Sequence, residues 1–194
     1  MHNTLSRYFD HVVETIAKLP VPVIDRIVET LLTAYQSGRR VYLFGNGGSA
    51  ALASHFACDL GKGAANGSDR RFQVVAFTDN VPLITAWAND ARYEDIFAEQ
   101  LINFVQAGDV AFAISGSGKS PNVLKALRVA RDAGAITVGL TGFEGGEMKS
   151  LCDLCLVIPC TNMQVIEDLH LSVTHAVFTA VRAHIFTNSL AAIA

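Results

Sequence analysis

The chain has 194 residues, close to the length of one domain at about 150 residues each. Hydrophobic residues make up 51% and charged residues 17%, which excludes a disordered chain. That much apolar surface is more than one such domain hides alone, so part of it is expected in a subunit interface. The net charge is −3 and no basic run occurs, so bulk binding to nucleic acid or to an anionic membrane is not expected.

Apolar residues at 5, 9, 12, 13, 16 and 17 recur with a helical period, and Pro20 and Pro22 end the run. Charges at Arg7, Asp10, Glu14 and Lys18 break it up, so it does not read as a signal peptide. No stretch reaches the roughly 18 apolar residues of a membrane helix, and the expected compartment is the cytoplasm. A second amphipathic helix fits 22–37, with Gly38 as its C-cap.

The rhythm then changes. Short runs rich in β-branched and aromatic residues stand at 40–44, 72–77, 109–114, 135–140 and 154–158. Helical patterns separate them at about 49–61, 92–105, 120–133 and 145–151, and a last helix fits about 163–186. Strands alternating with helices predict an α/β fold, a five-stranded parallel sheet covered on both faces. The expected division is one domain over 1–194: a helical hairpin at 1–38, an α/β core at 39–160 and a long C-terminal helix at 161–194.

In such sheets ligands bind beyond the carboxyl ends of the strands. Three loops there draw attention. Gly45-Asn46-Gly47-Gly48-Ser49 follows the first strand and opens a helix, where free backbone N–H groups meet an anion. Ser115-Gly116-Ser117-Gly118-Lys119-Ser120 follows the third strand; three hydroxyls before a helix suit a dianionic phosphate better than a simple cap does. Thr78-Asp79-Asn80 and Asn89-Asp90 are polar points in an apolar stretch and suit sugar hydroxyls or local turns.

Two groups could carry protons. His55 and Asp59 share a helix face. On the last helix Asp168 and His175 share another, near Glu167 and His170. Cysteines occur at 58, 152, 155 and 160. Cys152 and Cys155 form a C-x-x-C pair, but no second pair completes a four-ligand zinc site, and the pair reads as small core residues.

Together these segments resemble the sugar isomerase (SIS) domain family, and within it the phosphoheptose isomerases. The resemblance rests on GNGGSAALASHFACDL (45–60), TDNVPLITAWAND (78–90), GDVAFAISGSGKSPNVLKAL (108–127), LTGFEGGE (140–147) and the final helix with its two histidines. It implies interconversion of sedoheptulose 7-phosphate and a heptose 7-phosphate, an early step toward bacterial surface heptose, by a homotetramer with sites at subunit interfaces. It implies phosphate binding by Ser115, Ser117 and Ser120 about Gly116, and substrate contacts from Asn46, Gly47, Gly48, Ser49, Asn89, Asp90 and Glu167. It implies an acid–base pair at Asp59 and His175, and zinc held by His55, Asp59, Glu167 and His175.

Several positions depart from the family pattern. Asp59 stands where a longer Glu is usual, and Glu167 where a Gln is usual. Lys62 lies where an Arg is expected shortly after the catalytic carboxylate, and Gly116 replaces the central Thr of the serine loop. Glu167 and His175 are eight residues apart, about 12 Å along a regular helix, so one ion reaches both only if the helix bends or the side chains lean together. Two other readings remain: a non-catalytic SIS module that binds a sugar phosphate or the replication initiator, and an isomerase for a different sugar phosphate. The retained proton carriers Asp59 and His175 favour an enzyme.

Overall fold

The computed structural model describes residues 2–65 and 70–191. Two helices open it, α1 (His2–Ile16) and α2 (Val21–Ser37). Gly38 ends α2 with φ 64°, and the Arg39 N–H closes onto the Ala34 carbonyl at 2.8 Å. Then follow β1 (Arg40–Gly45), α3 (Gly48–Cys58), a π-helical turn (Asp59–Gly63), β2 (Gln73–Ala76), α4 (Val81–Asp90) and α5 (Ala98–Ile102). The chain goes on through β3 (Val110–Ile114), α6 (Pro121–Asp132), β4 (Ile136–Thr141), α7 (Met148–Leu151), β5 (Leu154–Val157) and α8 (Met163–Ala191). Of the expected C-terminal segment 161–194, residues 192–194 lie outside the described residues, as do Met1 and 66–69.

The five strands are all parallel, in the order β2-β1-β3-β4-β5. The expected sheet is therefore present. Successive strand residues point to opposite faces. Val41, Leu43, Val110, Phe112 and Ile114 pack with Ile27, Leu31, Phe56 and Leu169 under α2, α3 and α8. Tyr42, Phe44, Ala111 and Ala113 pack with Phe97, Leu127 and Met148 under α5, α6 and α7. Buried Asp109 ties the entry of β1 to that of β3, accepting from the Arg40 N–H at 2.9 Å and the Gln106 N–H at 3.0 Å.

The expected helix over 92–105 is corrected. The structure places α4 earlier, then a 3₁₀ turn at Tyr93–Asp95 and the short α5. The cause is local: Asn80 caps α4 by accepting from the Leu83 N–H at 3.2 Å, and Pro82 sits in the first turn. The π-helical turn after Cys58 likewise shortens the helix expected over 49–61.

The order in which strands join the sheet reverses between β1 and β3, and connections leave that point toward opposite faces, which opens a crevice at the strands' carboxyl ends. The β3–α6 loop is locked backbone to backbone against the β4–α7 loop. Gly142 N–H donates to the Gly116 carbonyl at 2.9 Å, and Met148 N–H to the Gly118 carbonyl at 3.0 Å. Gly118 has φ 63°, and a Cβ there would stand 2.1 Å from the Gly145 carbonyl oxygen. Gly118→Ala therefore combines left-handed strain with overpacking, each costing on the order of 1–3 kcal/mol. Urea unfolding should show a loss of at least that size; an unchanged midpoint would contradict the interlock.

Candidate functional site

The turn after β1 is set by a close approach of strands. A Cβ on Gly45 would lie 2.6 Å from the Ile114 carbonyl oxygen and 2.8 Å from Ser49 Cβ, so glycine brings the ends of β1 and β3 together. Asn46 then pairs its amide with that of Asn122 through two hydrogen bonds of 2.8 and 2.9 Å, and the Tyr93 hydroxyl donates to Asn46 Oδ1 at 3.1 Å. Gly47 turns with φ 57°, and α3 starts at Gly48 with Ser49 buried in its first turn. Ser49 N–H closes onto the Asn46 carbonyl and Ala50 N–H onto the Gly47 carbonyl, both at 3.0 Å.

Beside it lies the serine loop. Ser115 is buried, and its hydroxyl stands 3.3 Å from that of Ser120, the residue that precedes α6. Ser117 Oγ accepts from the Lys119 N–H at 3.3 Å. Ser117 and Lys119 line an open cavity of about 530 Å³ with Phe143, Glu144, Gly146 and Thr161. Among the described residues Phe143 is the one non-glycine residue with positive φ, at 51°.

The last turn of α3 carries His55, and Asp59 follows one turn later on the same face. Helix α8 crosses it and brings His175 across. His55 Nε2 and His175 Nε2 are 3.3 Å apart, and Asp59 Oδ2 lies 3.7 Å from the first and 3.9 Å from the second. Both imidazoles are about half exposed, while Asp59 is largely covered, and its Oδ2 is inaccessible and lacks a hydrogen-bond partner. A buried carboxylate oxygen left unpaired is costly. A cation resolves that cost. Ligand atoms about 2.0–2.2 Å from a tetrahedral zinc stand roughly 3.3–3.6 Å apart, close to the separations here. The donor set, two imidazoles and a carboxylate, suits a borderline divalent metal.

Glu167 is not part of that trio. It lies on α8 two turns before His175, with its carboxylate against Gly48, where a Cβ would stand 3.1 Å from Oε1. It shares with His55, Ser49 and His170 a cavity of about 230 Å³ between α3 and α8. Helix α8 runs unbroken from Met163 to Ala191, with Glu167 and His175 eight residues apart along it. The next residue, Asp168, accepts a hydrogen bond from the Tyr8 hydroxyl of α1, which pushes that phenol up to about 12.

Asn89 and Asp90 end α4, exposed, and Asn89 Nδ2 donates to Asp90 Oδ1 at 2.7 Å. Neither lines the two cavities just described. Thr78 and Asp79 instead engage Ser54 of α3 through its hydroxyl. Lys62 and Cys58 border a third cavity, which Asp59 also lines, together with Phe178 and Arg182.

Sequence reasoning missed several of these residues. Asn122 is a buried polar residue in the first turn of an otherwise amphipathic helix, a signal that was readable. Arg182 follows His175 by two helical turns, and the shared face pointed to it. Tyr93, Tyr8 and Phe143 carried no local signal.

His170 is 1% exposed, and neither ring nitrogen has a hydrogen-bond partner. Burial pushes its imidazole down to about 4, and the Thr141 backbone opposes this weakly. Unfolded, the ring titrates near 6.5. The unfolded chain therefore binds the extra proton as pH falls from 6.5 toward 4, and stability drops through that window by up to about 3 kcal/mol. Urea midpoints at pH 7 and pH 4.5 should diverge in the parent protein and diverge less in His170→Asn. Equal slopes in both would refute the assignment.

The model of the SIS domain matches residues 6–142. A phosphoheptose isomerase of Pelobacter propionicus is 36% identical over 173 residues, covering 89% of this chain and 91% of the relative. One from Aliarcobacter butzleri is 40% identical over 171 residues, covering 84% and 88%. Among solved structures, a phosphoheptose isomerase from Neisseria gonorrhoeae superposes with a TM-score of 0.87 at 26% identity, covering 94% of this chain and 98% of that one. One from Francisella tularensis gives 0.86 at 26% identity, covering 93% and 97%. The chain thus belongs to the SIS domain family, among the phosphoheptose isomerases.

Proposed function

We propose that this chain is an aldose–ketose isomerase that converts sedoheptulose 7-phosphate to D-glycero-D-manno-heptose 7-phosphate. The observation that carries the reading is the convergence of His55, Asp59 and His175 from two helices, about an unpaired carboxylate oxygen. The named relatives set the substrate class.

Isomerisation moves a proton between C1 and C2 through an enediol. It needs a base over the carbon, an acid at the oxygens and a firm hold on the distal phosphate. Asp59 and His175 are the proposed proton carriers. A carboxylate and an imidazole under 4 Å apart can pass a proton between two substrate atoms without either leaving the site. Ser115, Ser117 and Ser120, with the backbone at Gly116, are proposed to hold the phosphate ahead of α6. Asn46, Gly47, Gly48 and Ser49 would orient the sugar with Glu167 across the cavity between α3 and α8. Binding energy at the phosphate then positions the reacting carbons.

The resident metal is proposed to be zinc, which His55, Asp59 and His175 would hold, with Glu167 as a proposed further ligand. Bound there, zinc supplies Lewis-acid polarisation of the substrate carbonyl. Asp59, one methylene shorter than the family's Glu, cannot be a tight zinc ligand and a free base at once, so its two proposed roles belong to the zinc-loaded and the metal-free protein respectively.

A homotetramer is the proposed assembly. Leu5, Phe9, Val13 and Ile16 form an exposed apolar stripe on α1, each at least 47% accessible, which supports a covering subunit. Asn89 and Asp90, bonded to each other at the surface, are proposed to reach a neighbouring subunit's site. The whole chain, 1–194, is taken as one SIS domain. The cytoplasm is the proposed compartment, in keeping with cysteines 58, 152, 155 and 160 all being free. No described helix is long and apolar enough to cross a membrane.

Proton NMR of sedoheptulose 7-phosphate with the protein, metal-free and with added zinc, tests the reaction. New aldose anomeric signals are expected, and His175→Ala and Asp59→Asn should each reduce turnover by about 10²-fold or more. Phosphate-ligand binding should survive both changes. Near-normal turnover in Asp59→Asn would sink the acid–base assignment, and no conversion under either condition would sink the substrate. Ser117→Ala should raise KM more than it lowers kcat; a pure kcat effect would argue against the phosphate role.

A further inference from the structure

The C-x-x-C pair stands apart from the site so far described. Cys152 ends α7 with an extended backbone, and Cys155 lies in β5, paired in register with Gly139 of β4. Both sulfurs sit over that glycine. A Cβ on Gly139 would stand 2.8 Å from Cys152 Sγ and 3.4 Å from Cys155 Sγ. The missing side chain at 139 is what makes room for the two thiols on one face of the sheet. Strand β5 is an edge strand, and both cysteines are only half-buried, so a small reagent can approach.

We propose that Cys152 and Cys155 form a reversible dithiol–disulfide couple, a site of oxidation by low-molecular-weight disulfides. The shared space over Gly139 brings the two thiols together on one side of the sheet. The neighbouring Cys152 thiol, helped by the Lys149 ammonium, holds Cys155 below the usual thiol range, while Cys155 and burial drive Cys152 above it. The roles follow. Cys155 is the attacking thiolate, and Cys152 keeps its proton until the second step. Cys155 attacks glutathione disulfide, forming a mixed disulfide and releasing one glutathione. Cys152 then gives up its proton, displaces the second glutathione and closes the ring. Two protein S–H bonds are replaced by one S–S bond, and the two electrons reduce glutathione disulfide to two thiols.

The couple sits at one end of α7, whose other end is tied to the serine loop. Cys152 N–H donates to the Met148 carbonyl at 3.1 Å, and Met148 N–H to the Gly118 carbonyl. The site is therefore separate from the His55–Asp59–His175 cluster and stands whether or not the isomerase reading does.

The full-length Cys58→Ser protein, which removes the exposed thiol, is incubated with glutathione disulfide at pH 7.5. Thiol titration should fall by two per chain. Fragmentation mass spectrometry should place a loss of two hydrogens between Cys152 and Cys155, reversed by dithiothreitol. Cys152→Ser should stop at a mixed disulfide with glutathione on Cys155, and Cys155→Ser should react many-fold more slowly. Full retention of thiols, a bond to Cys160, or equal reactivity of the two variants would overturn the proposal. So would protection of both thiols by added zinc or copper(I) with no disulfide formed, which would make the pair a metal site.

Discussion

Strands β1 and β3 run side by side up to Gly45 and Ile114, where backbone meets backbone with no space for a side chain between them. Much of the molecule is arranged about that contact. It brings the Gly-rich turn and the serine loop to one rim of the sheet. It sets the start of α3, and so the face on which His55 and Asp59 emerge. It also forces Asn46 toward Asn122, where paired amides join the first turn of α6 to the turn before α3. The β3–α6 loop is fixed further by backbone bonds to the β4–α7 loop, which cost no side-chain entropy.

The second constraint is the crossing of α3 and α8. These helices close the side of the sheet lined by Phe56, Leu169 and Val173, and the same crossing brings the polar edges of both into contact. A hydrophobic contact thereby positions two imidazoles and a carboxylate that on their own would stay apart in water. The imidazole rings meet edge to face with centroids 5.0 Å apart, so their orientation is set as well as their distance. Packing provides the preorganisation on which chemistry at such a trio depends.

Much of this was legible in the sequence because it is periodic. The five strands are runs of β-branched and aromatic residues, and the parallel sheet follows from their alternation with helices. Gly38 announced the end of α2. Helix α4 was hidden because Asn80 read with Thr78 and Asp79 as a turn or sugar contact, whereas here it caps a helix. The order of strands and the meeting of His55 with His175 belong to long-range packing, which no local pattern encodes; the family resemblance alone suggested the latter. Helix geometry set the condition under which Glu167 and His175 could share one ion: two turns apart, they meet only if the helix bends or the side chains lean together. The spacing of the cysteine pair says nothing of Gly139, which lies on another strand and makes space for both sulfurs.

The two halves of the trio lie 120 residues apart in the chain. Asp59 and His55 take their places when α3 forms, but His175 arrives only when α8 has docked. A ligand that touches both helices recognises the docked form alone, so its binding free energy adds directly to the closure of α8 on the sheet. The site is thus also a clasp: what occupies it fastens the last helix to the rest of the molecule, and losing the occupant should loosen that helix before any other part.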